Sequence, residues 1–340
     1  MNKLTKFLGY PPQKIAILRA IKLGDLLCAI PAIRALRIAF PEAHIALISL
    51  PWAEEFVACY PQYFDEFISF PGWPGLPEQP LQPARTVAFL QQMQDRKWDV
   101  VLQLQGNGTL VNAMLSLFGA KALAGYYMPE QRSERWVADT GLMQAYPIDC
   151  HEIYRHVGLM VFLGIPSQGY DLEFGLTNMD KQDGRRRMDE MKAKSGQYIC
   201  LHAGGISGRR WPETYFAQVA DVLAERGYMI VMTGTAGEQP IIDAVRAAMK
   251  HPSMSIAGQT SLRQLGAVLQ TAALLISNDT GVAHLGVACQ TPSVVIFTSA
   301  DPAEWGPLNR SRHRVVSEDA PDAVRQVLNE AIDLLDGPGR

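Results

Sequence analysis

Asp279, Thr280 and Gly281 are consecutive, and His284 follows Thr280 by one helical turn. The run before them, Ala273 to Ser277, is apolar until its last residue, so the segment reads as a strand, a tight turn and a helix start. Asp279 or Thr280 can cap that helix, and the unpaired backbone N–H groups behind the cap attract an anion. His284 shares a helix face with Thr280, which adds a phosphate contact to the ordinary structural reading of a lone helical histidine. Asp-Thr-Gly is also the aspartic-protease triplet. Those enzymes need two copies on β-rich halves, and this chain has one, before a helix.

Three other strand-to-helix turns carry polar or glycine-rich residues. Asp25, in Leu23-Gly24-Asp25, stands at a helix start. It reads as an N-cap or as a general base that takes a proton from a hydroxyl nucleophile. His202 to Pro212 contains Gly204, Gly205, Arg209 and Arg210 before a helix start. Its glycines let backbone N–H groups approach an anion, and its arginines suit a diphosphate. The plain alternative is a flexible surface loop, since the pattern is neither a Walker loop nor GxGxxG. In Thr233 to Glu238, the acid either stabilises its own helix or accepts hydrogen bonds from ribose hydroxyls.

The elements that would hold these turns alternate. In the first half, Lys14–Arg19, His44–Leu50, Glu66–Phe70 and Trp98–Leu104 read as strands, with a long apolar helix from Gly24-Asp25 to about Ala39. Prolines at 71, 74, 77, 80 and 83 have the three-residue spacing of polyproline II, and suggest a stiff surface loop. Gly164 to Leu176 has linker composition. In the second half, Tyr198–His202, Tyr228–Thr233, Ala273–Ser277 and Ser293–Thr298 read as strands. Helices are expected over Pro212–Arg226, Glu238–Met249, Ser261–Thr271, Gly281–Cys289 and Pro321–Leu335. Such alternation implies an α/β protein with parallel sheets. The expected domains are residues 1–170 and 171–320, with 321–340 a C-terminal helix that packs back across the junction.

Composition narrows the class. The chain has 340 residues, enough for two domains of about 150 to 170 residues. A net charge of -3 argues against general nucleic-acid binding. The cysteines 28, 59, 150, 200 and 289 are odd in number and form no CxxC pair, so they read as free thiols in a reducing compartment. No metal site is expected. No apolar stretch approaches the ~18 residues of a spanning helix, and no signal peptide is legible, which points to the cytoplasm and leaves peripheral membrane contact open.

Several blocks, in order, resemble glycosyltransferase family 9, the heptosyltransferases of lipopolysaccharide core assembly. They are LGD-x5-P from Leu23 to Pro31, Leu104-Gln105-Gly106, Arg-x-Trp-Pro from Arg209, and SNDTGxxH from Ser277. The resemblance implies a GT-B fold of two facing doubly wound, Rossmann-like domains, the first for the acceptor and the second for the donor. It implies inverting, metal-independent transfer of a sugar from a nucleotide sugar, ADP-heptose, to a lipopolysaccharide-core or other glycan or glycolipid acceptor, with no cofactor. By position, Asp25 matches the catalytic base. Gly204, Gly205 and Arg209 match the diphosphate loop, Glu238 a nucleoside contact, and Asp279, Thr280, Gly281 and His284 the diphosphate and sugar turn. For the acceptor, Gln105, Arg132 and Arg135 are the candidates. The segment Pro51 to Tyr63 contains no basic residue and carries Glu54 and Glu55. That departs from family enzymes whose acceptors are phosphorylated. Competing readings are a sugar-nucleotide epimerase or a non-catalytic sugar-nucleotide binder on the same fold. A Rossmann oxidoreductase ranks last, because no GxGxxG follows the first strand.

Overall fold

A computed structural model describes residues 1–131, 140–206 and 208–337. The chain forms two compact units, Met1–Asp171 and Leu172–Arg340.

The first unit is built on β1 (Lys14–Leu18), β2 (His44–Ser49), β3 (Glu66–Ser69), β4 (Val100–Gln103), β5 (Ala122–Tyr127) and β6 (Met143–Ala145). They pair in the order β3-β2-β1-β4-β5-β6, and every pairing is parallel. β1 and β4 are buried along nearly their whole length, as expected of strands covered on both faces. Ala16, Ile48, Val101, Phe89 and Trp98 meet in the core on one side of the sheet.

The Leu23–Ala39 helix is apolar nearly all round, and eleven of its residues are buried. It continues through Pro31, which removes one N–H from the backbone ladder. A helix over Glu152–Phe162, not foreseen from sequence, packs against it.

The second unit repeats the scheme with β7 (Tyr198–His202), β8 (Met229–Met232), β9 (Ser253–Ser255), β10 (Leu274–Asn278), β11 (Ser293–Phe297) and β12 (His313–Ser317). The order is β12-β11-β10-β7-β8-β9, again parallel throughout. In both units the strand order reverses beside the first strand, between β1 and β4 and between β7 and β10. Ligands of open α/β sheets bind beyond the carboxyl ends of the strands at that reversal.

The eight strands read from sequence are present, within a residue or two at their ends. β5, β6, β9 and β12 were missed. β6 and β9 have three residues each, too short for a period-two pattern to show. The proline-rich stretch is not a continuous polyproline helix. Gly72 and Gly75 have φ of 95° and 87°, which breaks it into turns, and Trp73 and Leu76 pack on the core. The C-terminal helix, expected to return across the junction, lies on its own unit. Ala323, Val327, Ala331 and Leu335 recur every fourth residue and join the core of the β7–β12 sheet.

Candidate functional site

Arg19 follows β1 at the reversal point and is 1% exposed. Its guanidinium reaches three elements. Nε donates to the Asp25 carbonyl at 2.7 Å, Nη1 to the Leu104 carbonyl, and Nη2 to Glu152 Oε1 at 2.8 Å. The same Nη2 lies 3.8 Å from Asp25 Oδ1. Gln105 fastens the next residue, accepting from the Ala20 N–H at 2.7 Å and donating to its carbonyl at 3.3 Å. The turn that carries Asp25 is therefore tied to the ends of β1 and β4.

Asp25 is not the N-cap. That position is Lys22, whose side chain caps nothing, and Asp25 is the third residue of the helix. Its side chain keeps 19% exposure. Burial raises its pKa above the ordinary aspartate value. Arg19 and Lys22 pull it down, as does its own N–H, while Glu152 adds to the rise. A carboxylate destabilised in this way is a better proton acceptor than an exposed one.

Glu152 is itself buried and held by Arg19, Arg155 and His156. Burial alone would raise its carboxyl. The hydrogen bond from His156 and the two guanidinia overcome that and place it far below the usual range. Burial and Arg19 push His156 down to about 4, so the ring is neutral at pH 7 and donates through Nε2.

In the second unit three turns converge. Gly205 N–H donates to Glu238 Oε1 at 2.9 Å, while Glu238 Oε2 accepts from the Thr235 N–H and hydroxyl at 2.7 and 2.9 Å. A Cβ on Gly204 would stand 2.1 Å from Glu238 Oε1, so a side chain there would displace the Glu238 carboxylate from this position. Gly205, at φ 139°, lies against Thr280, whose methyl would be 3.1 Å from an added Cβ. Asn278 closes the set. Its amide donates to the Ala203 and Gly204 carbonyls at 3.1 and 3.0 Å and accepts from the Trp211 N–H at 3.0 Å.

Thr280 is the N-cap of the Gly281–Ala288 helix, yet its hydroxyl makes no capping bond. Its Oγ1 and the Ser277 Oγ are buried with no hydrogen-bond partner among the described residues. An unpaired buried hydroxyl costs about 1–3 kcal/mol, which a ligand oxygen would recover. Asp279, His284 and Trp305 line a small cleft beside this turn. His284 is 8% exposed, its ring 6.4 Å from that of Trp305. Arg209 is exposed. Arg210 instead reaches back to the Gly205 carbonyl at 3.4 Å.

The structure thus brings together Gly204, Gly205, Glu238 and Thr280, with Asp279, Gly281 and His284 on the same turn and helix. Both carboxylate oxygens of Glu238 are engaged by its own unit. The amide of Gln105 is likewise spent on Ala20, a bracing role rather than an open one. Arg132 and Arg135 lie outside the described residues. Sequence reading missed Arg19, Glu152 and Asn278. A charged residue ending a buried strand was the available signal for Arg19, and the Asn of SNDTG was the signal for Asn278.

The family model for glycosyltransferase family 9 (heptosyltransferase) matches residues 86–332. A 127-residue stretch is 25% identical to lipopolysaccharide heptosyltransferase 3 of Escherichia coli K12, and spans 36% of this chain and 37% of that enzyme. Among solved structures, the fold is similar to a glycosyl transferase family 9 protein of Veillonella parvula. The TM-score is 0.77 at 20% identity, covering 95% of this chain and 97% of that one. It is also similar to E. coli ADP-heptose lps heptosyltransferase II, with a TM-score of 0.74 at 19% identity, covering 95% and 98%. The fold is GT-B.

Proposed function

The chain belongs to glycosyltransferase family 9, and on that premise we propose that it moves a heptose from ADP-heptose to a lipopolysaccharide-core or related glycan acceptor, with inversion and without a metal. Thr280 carries this reading. Its buried hydroxyl, without a partner among the described residues, stands at a helix N-terminus and against the glycine loop, where a diphosphate oxygen would complete the hydrogen bonding. The name of the similar E. coli structure, an ADP-heptose enzyme, supports the choice of donor.

In the proposed reaction an acceptor hydroxyl oxygen attacks the anomeric carbon from the face opposite the diphosphate. Asp25 takes the hydroxyl proton as the new C–O bond forms. The bond between the anomeric carbon and the diphosphate breaks, and ADP leaves with the electron pair. The charge that develops on the diphosphate is met by the N–H groups of the Gly281–Ala288 helix, by the Thr280 hydroxyl and by Arg209. Such donors are worth a few kcal/mol each in a transition state. We place the protein in the cytoplasm, with room for peripheral contact at the cytoplasmic face of the inner membrane. Among the described residues no helix is long and apolar enough to cross one.

Thermal denaturation against ADP and against ADP-, GDP- and UDP-sugars tests the reading. ADP-heptose at 100 times its Kd should add about 2.7 kcal/mol of stability and raise Tm. If no nucleoside diphosphate or nucleotide sugar raises Tm, the proposal fails. An epimerase would convert its nucleotide sugar with no acceptor present, whereas a transferase needs the acceptor for rapid release of ADP.

A further inference from the structure

Arg19 is shared between two carboxylates, and it is shared unequally. Its Nη2 is 2.8 Å from Glu152 Oε1 and 3.8 Å from Asp25 Oδ1. The remaining nitrogens donate to the Asp25 and Leu104 carbonyls and keep the guanidinium beside the turn, so that Nη2 is the nitrogen for which the two carboxylates compete. Glu152 is fixed in turn by Arg155 on its second oxygen and by His156 Nε2 at 2.9 Å on its first. Arg155 is anchored through the Ile148 and Cys150 carbonyls, at 3.2 and 2.9 Å. The chain of contacts runs from the Glu152–Phe162 helix to the base and is buried throughout its interior.

A guanidinium paired directly with a carboxylate stabilises the ionised form and makes it a weak base. We propose that Glu152 is a positioning residue for Asp25: by taking the short bond to the shared Arg19, it keeps that cation in place yet out of a direct pair with the Asp25 carboxylate. The inference rests on the reading of Asp25 as the base. The charged and titratable groups that bear on Asp25 among the described residues are Arg19 from the end of β1, Lys22 from its own turn and Glu152 from the packed helix. Arg155 and His156 stand one step further out, on Glu152. Apart from the exposed Lys22, two guanidinia and two carboxylates balance when Asp25 is ionised. Without Glu152 the balance tips toward positive charge, and Arg19 has one carboxylate left to pair with.

The test is a carboxyl titration of the full chain labelled with 13C at aspartate side chains, the Asp25 signal being assigned as the one lost in Asp25→Asn. In Glu152→Gln the Asp25 titration should move to lower pH by about one unit or more, the size expected when an opposite charge closes on a carboxylate. A purely structural role for Glu152 would change melting without moving that signal. If circular dichroism shows Glu152→Gln unfolded, Glu152→Asp keeps the charge but draws it back by one methylene. A smaller shift in the same direction is then expected. An unmoved Asp25 titration in the folded variant overturns the proposal. Failure of the underlying reading looks different: Asp25→Asn would then release ADP from ADP-heptose at the wild-type rate with lipopolysaccharide-core oligosaccharides present.

Discussion

The two units share one strand order and one address for chemistry, the reversal point beyond the first strand, yet they furnish it in opposite ways. In the first unit the space after β1 is filled by Arg19, Gln105 and Glu152, which lace the turn to its neighbours and leave one carboxylate partly open. In the second unit the space after β7 is lined by glycines, and the bracing comes from further along the chain, through Asn278 and Glu238. The lesson is that the fold supplies the location and the turn supplies the charge. A proton acceptor needs a buried, restrained carboxylate. An anion receptor needs backbone N–H groups with no side chain in the way.

The comparison breaks most sharply at Asp25, the residue proposed to take the proton. Asp25→Asn should cut turnover by roughly 100-fold or more while the Kd for ADP, measured by calorimetry, stays unchanged. A parallel loss of ADP binding would mean that the two units do not divide the work. The reverse pattern belongs to Asn278→Ala. It strands the Trp211 N–H and two carbonyls in a buried place, so the second unit should lose about 3 kcal/mol in denaturant unfolding, and ADP affinity should fall with it.

A third experiment uses pH to weaken the first unit alone. Asp99 is 5% exposed and accepts from Tyr10, from the N–H groups of Gln13 and Lys14, and from Lys121. Burial would raise its carboxyl, but these bonds prevail and hold it at about 2. A depressed acid stabilises the fold above its unfolded pKa of about 3.9, and that contribution fades as pH falls toward 2. Asp99→Asn should therefore cost about 2 kcal/mol at pH 7 and progressively less below pH 4, read by denaturant melts across pH. ADP binding at pH 7 should not change. The smallest effect is the most specific one. Thr280→Val keeps the shape and removes a hydroxyl that has no partner among the described residues, so the Tm without ligand should hold or rise slightly. ADP affinity should fall about tenfold. A lower Tm with unchanged affinity would make Thr280 an ordinary structural residue.

The legible parts of the molecule were those where local pattern and tertiary role coincide. Buried strands such as KIAIL and YICLH, and helix starts marked by Ser261, carry their signal in a few residues. So did the turn at Asp279 to His284, because a polar cluster between an apolar strand and an apolar helix stands out by composition. Short edge strands did not, since three residues have no period. The Glu152–Phe162 helix went unread because no clean apolar stripe marks it: Tyr154 and Val161 are exposed, while its buried face also holds Glu152, Arg155 and His156.

By itself, the sequence determined the α/β alternation, the turns that could bind an anion, and Asp25 as an acid at a helix start. What only the tertiary structure decided is how those turns are held. Asp25 turned out to be the third residue of its helix rather than its cap, facing an arginine whose short bond goes to Glu152, 133 positions beyond that arginine. Glu238 turned out to bind the glycine loop that the sequence places 33 positions before it. Each of these depends on which strands become neighbours. Neighbours in a parallel sheet are joined by long crossovers, so no local pattern records them.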